Sequence, residues 1–320
     1  MRLTPREYWL AILLLLVLTG AGLLIGGTAL FAPSYFYHKF LFGAAWMPVL
    51  GPYSQEMTQI AGALYLGLTV PAVIAIFRPT PRLLIAVGWA NAVAAFPHMV
   101  FHISMEYMSG FWQTIPQAGF LFITIVAGIM TSEIARTGQQ RYFATRHAEK
   151  GAQRYVFHDE PAMPPSRAHA VRRLLVLPIL GYLAVGVYNL FFPYHFYKDF
   201  FFGLDWISRL GGYSQHLTFD TGALCSGFAI AMVLAAMWRT PNVIRAFGLG
   251  MALAAFPVVI YYLAELNNAG PLATAVQSAV MFAAMVIGLI LAKIARPAPV
   301  PDESSVDLTP GEHAAVGLEA

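Results

Sequence analysis

The chain has 320 residues, of which 58% are hydrophobic and only 11% are charged, and its formal net charge is +3. A soluble domain of this length carries about a quarter charged residues, so the composition predicts an integral membrane protein with the lipid bilayer as its partner. The small positive charge does not indicate nucleic-acid binding, because the basic residues lie in short groups between apolar runs. A single cysteine, Cys225, excludes an intrachain disulfide and a cysteine-ligated iron–sulfur cluster.

Eight apolar runs are long enough to cross a bilayer, which takes about 20 helical residues. The first run, 8–31, exceeds the apolar core of a signal peptide, which is about 7–15 residues long, so we expect a retained membrane helix. In chain order, the eight runs are 8–31, 55–77, 83–107, 112–134, 174–192, 215–237, 243–266 and 272–292.

The placement of Lys and Arg residues predicts the orientation in the membrane. If all eight runs cross the bilayer, 16 of the 19 basic residues fall on one side, and only Lys39, Lys198 and Arg209 fall on the other. Because basic residues accumulate on the cytoplasmic side of a membrane, we expect both termini and the central connection to be cytoplasmic. The predicted location is the bacterial inner membrane.

The two halves of the chain align without a gap at an offset of 160 residues. For example, Gly51-x-Tyr53-Ser54-Gln55 returns as Gly211-x-Tyr213-Ser214-Gln215, and Ala94-Ala95-Phe96-Pro97 returns as Ala254-Ala255-Phe256-Pro257. Four crossings in each copy bring both copies in from the same side, so the repeats are predicted to be parallel. The expected fold is therefore all-α, with eight transmembrane helices in two four-helix bundles.

This repeat also predicts the organisation of the rest of the chain. We expect a first membrane repeat at 1–136, a flexible cytoplasmic linker at 137–171, a second repeat at 172–296 and a disordered cytoplasmic tail at 297–320. The segments 31–52 and 191–212 are rich in aromatic residues, which favour the membrane surface. Each is predicted to contain a short helix lying on the outer face of the membrane.

Ionisable side chains gather near the predicted outer ends of the inner helices. The third helix carries His98-x3-His102-x3-Glu106, and the sixth carries His216-x3-Asp220. Residues four apart lie on one helix face, so each pair can act together. Ionisable groups in a membrane helix are costly, which makes them candidates for a functional site.

Three interpretations of these residues remain open. First, His98, His102, His216 and Asp220 hold a transition metal such as Zn, Fe, Mn or Cu, or serve a redox cofactor. Second, a polar cavity binds or transports a small solute or protons, and its predicted lining residues are Glu56, Glu106, Gln55, Gln215, Gln117 and Gln277. Third, the groups form structural hydrogen bonds between helices. The chain has no nucleotide-binding loop, dinucleotide fingerprint, serine-hydrolase elbow or HExxH motif, so it indicates no particular enzyme class.

With Phe96-Pro97-His98-x3-His102 in the first half and Tyr213-Ser214-Gln215-His216-x3-Asp220 in the second, each copy resembles the small four-helix DoxX-like membrane proteins of actinobacteria. The resemblance implies a four-helix bundle with a polar site near its outer face, and a link to quinone-coupled oxidation, so an oxidoreductase component is one expectation. This chain departs from that pattern by dividing the two elements between its copies. Opposite His98, His102, His216 and Asp220, the other copy has Val258, Tyr262, Glu56 and Ile60, respectively. Either two sites have decayed, or one composite site forms where the copies meet.

Overall fold

The structure of the protein is a computed structural model, and in the residues that it describes the chain forms ten α-helices and two strands of two residues each. The described residues are 2–40, 47–105, 110–145, 155–156, 163–200, 207–208, 211–265 and 271–295.

Eight of the helices are long and apolar enough to span a membrane, as the sequence predicts. The first half contributes α1 (Pro5–Phe31), α3 (Gln55–Phe77), α4 (Pro81–Ser104) and α5 (Phe111–Thr145). The second half contributes α6 (Pro165–Phe191), α8 (Gln215–Trp238), α9 (Pro241–Ala264) and α10 (Pro271–Ile294). The two short helices expected after the first crossing of each half are α2 (Pro33–Lys39) and α7 (Pro193–Asp199).

The helix starts follow from local sequence. Ser54 and Ser214 are N-cap residues, and their hydroxyls accept hydrogen bonds from the backbone amides of Met57 and Leu217. At the start of α1, Thr4 and Glu7 form a capping box, in which each side chain accepts from the other residue's backbone amide. Such caps fix the first turns of the helices, which is where the ionisable residues of α3 and α8 lie.

At the end of the bundle where the chain begins, α5 and α6 extend beyond the predicted apolar runs. Helix α5 continues to Thr145 and α6 begins at Pro165, so both reach into the segment predicted to be a flexible linker. The extended part of α5 carries Arg141, which makes a bidentate salt bridge with Glu7 of α1. The strands β1 (Arg2–Leu3) and β2 (Tyr155–Val156) pair antiparallel on the same side. Helical turns that lie outside the apolar runs cannot be predicted from hydropathy alone.

The helix bounds of the two halves repeat at the same offset as the sequence. Helix α1 and α6 begin and end 160 residues apart, as do α4 and α9, while α3 and α8 begin 160 residues apart. The same series of helices, with matching starts, therefore occurs twice in the described chain.

The packing of these helices differs in one respect from the two separate four-helix bundles that the sequence predicts. The four central helices are α3, α4, α8 and α9, and their most extensive mutual interfaces pair α3 with α9 and α4 with α8, across the two halves. By contrast, α3 and α4 share only a small interface, although they are consecutive. The outer helices α1, α5, α6 and α10 pack against α3, α4, α8 and α9, respectively.

Small residues allow the helices of the two halves to pack closely against each other. A Cβ atom at Gly67 of α3 would lie 2.7 Å from the carbonyl oxygen of Gly250 in α9, and one at Gly227 of α8 would lie 2.5 Å from that of Ala90 in α4. Each interface therefore brings two backbones into direct contact, as small residues do in membrane helices. This close approach places the first turn of α8 against the last turns of α4.

Candidate metal centre

The first turns of α8 and the last turns of α4 lie side by side, at the end of the bundle opposite the chain's N-terminus. His216 is the second residue of α8, and Asp220 follows one turn later on the same face. His98 and His102 occupy equivalent successive turns near the end of α4. All four residues are buried, with at most 7% of their surface exposed.

The Nε2 atoms of the three histidines converge on one point. The distance from His98 to His102 is 2.9 Å, from His98 to His216 it is 3.2 Å, and from His102 to His216 it is 3.1 Å. The imidazole rings of His98 and His102 stack with their centroids 4.8 Å apart, which aims both nitrogens in the same direction. Two helices from different halves of the chain thus supply one cluster.

The size of this triangle suits a metal ion. Three nitrogens at these separations lie about 1.8 Å from their common centre, which is close to the usual Zn–N distance of about 2.0–2.1 Å. His98, His102 and His216 could therefore hold one transition-metal ion together.

Hydrogen bonds cannot form along all three edges of this triangle at once. A neutral imidazole Nε2 either carries a hydrogen and donates, or carries a lone pair and accepts. A hydrogen bond along each of the three edges would require at least one nitrogen to have a hydrogen and a lone pair at once. Hydrogen bonds therefore cannot satisfy all three edges at once, whereas a cation held by three lone pairs would satisfy the three nitrogens together.

Asp220 supplies an oxygen beside the triangle. Its Oδ1 lies 2.8 Å from Nε2 of His98 and 3.5 Å from Nε2 of His216. Despite this proximity, Oδ1 is buried and makes no well-aligned hydrogen bond within the described chain. A buried acceptor without a donor is unfavourable, and a cation at the centre of the cluster would satisfy it. Three imidazole nitrogens and one carboxylate oxygen are a chemically suitable ligand set for Zn, Fe, Mn or Cu.

Two further side chains complete the surroundings of the cluster, and neither is among the residues predicted from sequence. The hydroxyl of Tyr65 in α3 lies 3.3 Å from Nδ1 of His98. The ring of Phe101 stacks on that of His216, with centroids 5.5 Å apart. A partner on the second imidazole nitrogen orients a metal-binding histidine, and an apolar cover limits access of water.

The equivalent location in the other half lies between α3 and α9, and it has different chemistry. There Val258 and Tyr262 take the places of His98 and His102, while Glu56 and Ile60 take those of His216 and Asp220. The Tyr262 hydroxyl donates a hydrogen bond of 2.7 Å to Oε1 of Glu56, which is fully buried. Its Oε2 has no hydrogen-bond partner in the part of the chain that the structure describes. We call this group of four residues the mate site.

The remaining residues predicted to line a cavity are dispersed. Gln55 and Gln215 are the first residues of α3 and α8, and Gln55 is exposed. Gln117 is half-buried in α5, and Gln277 is buried in α10. Glu106 lies outside the described residues. The metal ligands predicted from sequence meet in space, whereas these glutamines occupy four different helices.

Comparison of the chain with protein-family models, with curated proteins and with solved structures found no match in any of the three. The class of the protein therefore rests on its own features: it is a polytopic α-helical membrane protein with a buried histidine–carboxylate cluster between two of its helices.

Proposed function

We propose that this protein binds one transition-metal ion through His98, His102, His216 and Asp220, on the extracytoplasmic side of the bacterial inner membrane. The observation that carries the proposal is the convergence of three buried Nε2 atoms within 3.2 Å of one another. The positive residues at the opposite end of the bundle support this orientation, with both termini cytoplasmic.

The ligand set narrows the identity of the ion. Imidazole and carboxylate suit Zn²⁺, Fe²⁺, Mn²⁺ and Cu²⁺, whereas a soft-metal site would use thiolates or thioethers. A redox-active ion at this position would make the protein an oxidoreductase component, which is what the DoxX-like resemblance implies. That membership is part of the proposal, together with an origin by tandem duplication.

Of the two outcomes that a duplication allows, the cross-half pairing supports one composite site. His98 and His102 come from the first copy and His216 and Asp220 from the second, and α4 packs on α8. A duplicated chain of this kind would then retain one metal site and one site converted to another purpose.

Metal analysis of the purified protein tests the proposal. After expression in medium supplied with Zn, Fe, Mn and Cu, we expect about one ion per chain of the wild type and less than about a tenth of that in His102→Ala. Loss of a residue that only orients a ligand weakens metal binding by about 10–100-fold, and loss of a ligand itself should weaken it at least as much. Tyr262→Ala is the matched control, since it truncates the equivalent residue of the mate site. A folded His102→Ala protein with unchanged metal content would refute the proposal.

A resident ion must also be distinguished from a transported one. All four ligands are buried on rigid helices, so we expect no uptake of radioactive ⁶⁵Zn into proteoliposomes above that of the His102→Ala variant. Saturable uptake that requires His102 would favour the alternative, a metal transporter.

A further inference from the structure

The mate site contains a carboxyl group that is completely buried. Glu56 is the second residue of α3, and none of its surface is exposed. Its Oε1 accepts the 2.7 Å hydrogen bond from the hydroxyl of Tyr262, whereas Oε2 has no hydrogen-bond partner within the described residues. One oxygen of the carboxyl group is therefore left unsatisfied by the side chains around it.

The titratable groups around Glu56 are all acids. Those that interact with it electrostatically lie on α7, on α9 and directly after α9, and they are Tyr197, Tyr261, Tyr262 and Glu265. Tyr53, which precedes α3, interacts with Tyr261 in turn. Among the residues that the structure describes, no Lys, Arg or His belongs to this group. An ionised Glu56 would therefore face phenols and a second carboxyl, without a positive charge to compensate its own.

The rest of the mate site is apolar. Val258 and Ile60 pack with Tyr262 in one hydrophobic cluster. At the offset of 160, Val258 and Tyr262 occupy the places of the two α4 histidines of the metal centre. The groups that could share a cation with Glu56 are therefore absent from the two α9 positions that correspond to them.

The start of a helix favours a negative charge, but this effect is too weak to keep Glu56 ionised. The helix dipole stabilises a carboxylate in the first turn by less than the cost of burying a charge without a counter-ion. A neutral carboxylic acid leaves only one O–H group to be satisfied, which is less costly. Three residues further along α3, Oε1 of Gln59 is also buried and has no donor in the described chain. A proton on Glu56 would add a donor where two buried acceptors lack one.

We propose that the mate site is a proton-binding site, in which the carboxyl group of Glu56 holds one proton on Oε2 at neutral pH. Oε1 is then the carbonyl oxygen that accepts from Tyr262. An exposed glutamate is ionised at this pH. When base is added, the O–H bond of the acid breaks, the proton joins hydroxide to form water, and a carboxylate remains. A proton needs no cavity, so the complete burial of Glu56 is compatible with it.

Infrared spectroscopy of the full-length, metal-loaded protein tests this proposal, because a carboxylic acid has a C=O stretch that is separate from the bands of carboxylates and amides. The protein is measured at pH 7 in a maltoside detergent, which has no ester carbonyl to overlap with that band. Glu56→Gln is the test variant. The matched control, Asp199→Asn, makes the same chemical change at an exposed carboxyl at the same end of the bundle.

We expect the wild type and Asp199→Asn to show a carboxylic-acid band at pH 7, and we expect Glu56→Gln to lose it. Raising the pH should diminish the band of the wild type as the carboxylate forms. A wild type without a carboxylic-acid band at pH 7 would overturn the proposal, and so would a band of unchanged size in a folded Glu56→Gln protein. A sodium ion bound in place of the proton would keep the carboxylate ionised and would give the first of these two results.

A second variant keeps the test decisive if Glu56→Gln does not fold. Tyr262→Phe keeps the carboxyl group and removes the hydrogen bond to Oε1. Because a hydrogen bond to a carbonyl oxygen lowers the C=O stretching frequency, we expect the band to move to higher frequency in this variant. Tyr182→Phe removes a hydroxyl from α6 and should leave the band in place. A band that does not move in a folded Tyr262→Phe protein would come from another carboxyl group and would overturn the proposal.

The same spectra of chelator-treated protein separate this proposal from that of the metal site. We expect the band that depends on Glu56 to be present with and without metal. A protein that takes up no metal but shows this band would refute the metal proposal alone. A metal-loaded protein without the band would refute the proton proposal alone.

Discussion

The candidate metal centre and the mate site occupy equivalent places in the two halves, yet they differ at all four of the positions that define them. Between α4 and α8, three imidazoles and a carboxylate converge on one point. Between α3 and α9, a tyrosine donates to a buried glutamate beside Val258 and Ile60. The helices that frame both places begin at matching positions, so the backbone alone does not create a metal site.

This difference shows that one arrangement of helices can accommodate buried ionisable groups in two ways. A buried ionisable group must be paired or bound to a cation. The candidate metal centre has four such groups close to one another, and a bound cation would satisfy all of them together. The mate site has one carboxyl and one donor, which satisfy each other in part.

The largest expected effect comes from converting the mate site into a second metal centre. The substitutions are Glu56→His, Ile60→Asp, Val258→His and Tyr262→His, which copy the ligands at the offset of 160. Because the helix starts match, the new side chains should form a second set of imidazole and carboxylate ligands. We therefore expect the metal content to rise from about one to about two ions per chain. A version without Ile60→Asp serves as the control for the role of the carboxylate. A folded fourfold variant that still binds one ion would show that the two places are not equivalent.

The mate site itself should contribute to stability rather than to metal binding. In Tyr262→Phe, Oε1 of the fully buried Glu56 loses its donor, and we expect a loss of about 1–3 kcal/mol in the free energy of unfolding. Denaturant unfolding in detergent measures this loss, and metal content should not change. The double variant Glu56→Leu/Tyr262→Phe should lose less than the single one, because no buried carboxyl remains. A change in metal content in Tyr262→Phe would contradict the separation of the two sites.

A smaller effect is expected at Tyr65, which contacts the metal centre through His98. Tyr65→Phe keeps the ring but removes the hydroxyl, and the loss of such an outer partner weakens metal binding by about tenfold. Competition with a chromophoric chelator measures the affinity. Tyr182→Phe removes a buried hydroxyl from the second half and should leave the affinity unchanged. Equal affinities in the wild type and Tyr65→Phe would remove Tyr65 from the metal site.

Much of the fold follows from the sequence, because membrane helices are defined by composition and length. The apolar runs predict all eight spans, and the offset of 160 predicts matching elements in both halves. The ends of α5 and α6 are less predictable, because both helices continue outside the apolar zone, where α5 carries Arg141 paired with Glu7. The pairing of α4 with α8 depends on close contacts at small residues such as Gly227, and periodicity identifies a helix face without naming its partner.

The candidate site could be predicted in part for the same reason. Spacing of four residues places His98 with His102 and His216 with Asp220, but only the fold brings the two pairs together across 118 residues of chain. The sequence does not distinguish Tyr65 from other buried aromatic residues. The one indication of a special role is that the repeat has Cys225 at the equivalent position.

X-ray absorption spectroscopy of the metal-loaded wild type tests the central claim most directly. The claim predicts a first shell of three nitrogens at about 2.0–2.1 Å and one oxygen at about 2.0–2.2 Å for zinc, with the outer-shell scattering of imidazole rings. His102→Ala should lose this spectrum, whereas Tyr262→Ala should keep it. A shell of oxygen ligands alone, without imidazole scattering, would contradict the assignment of the cluster as a metal centre.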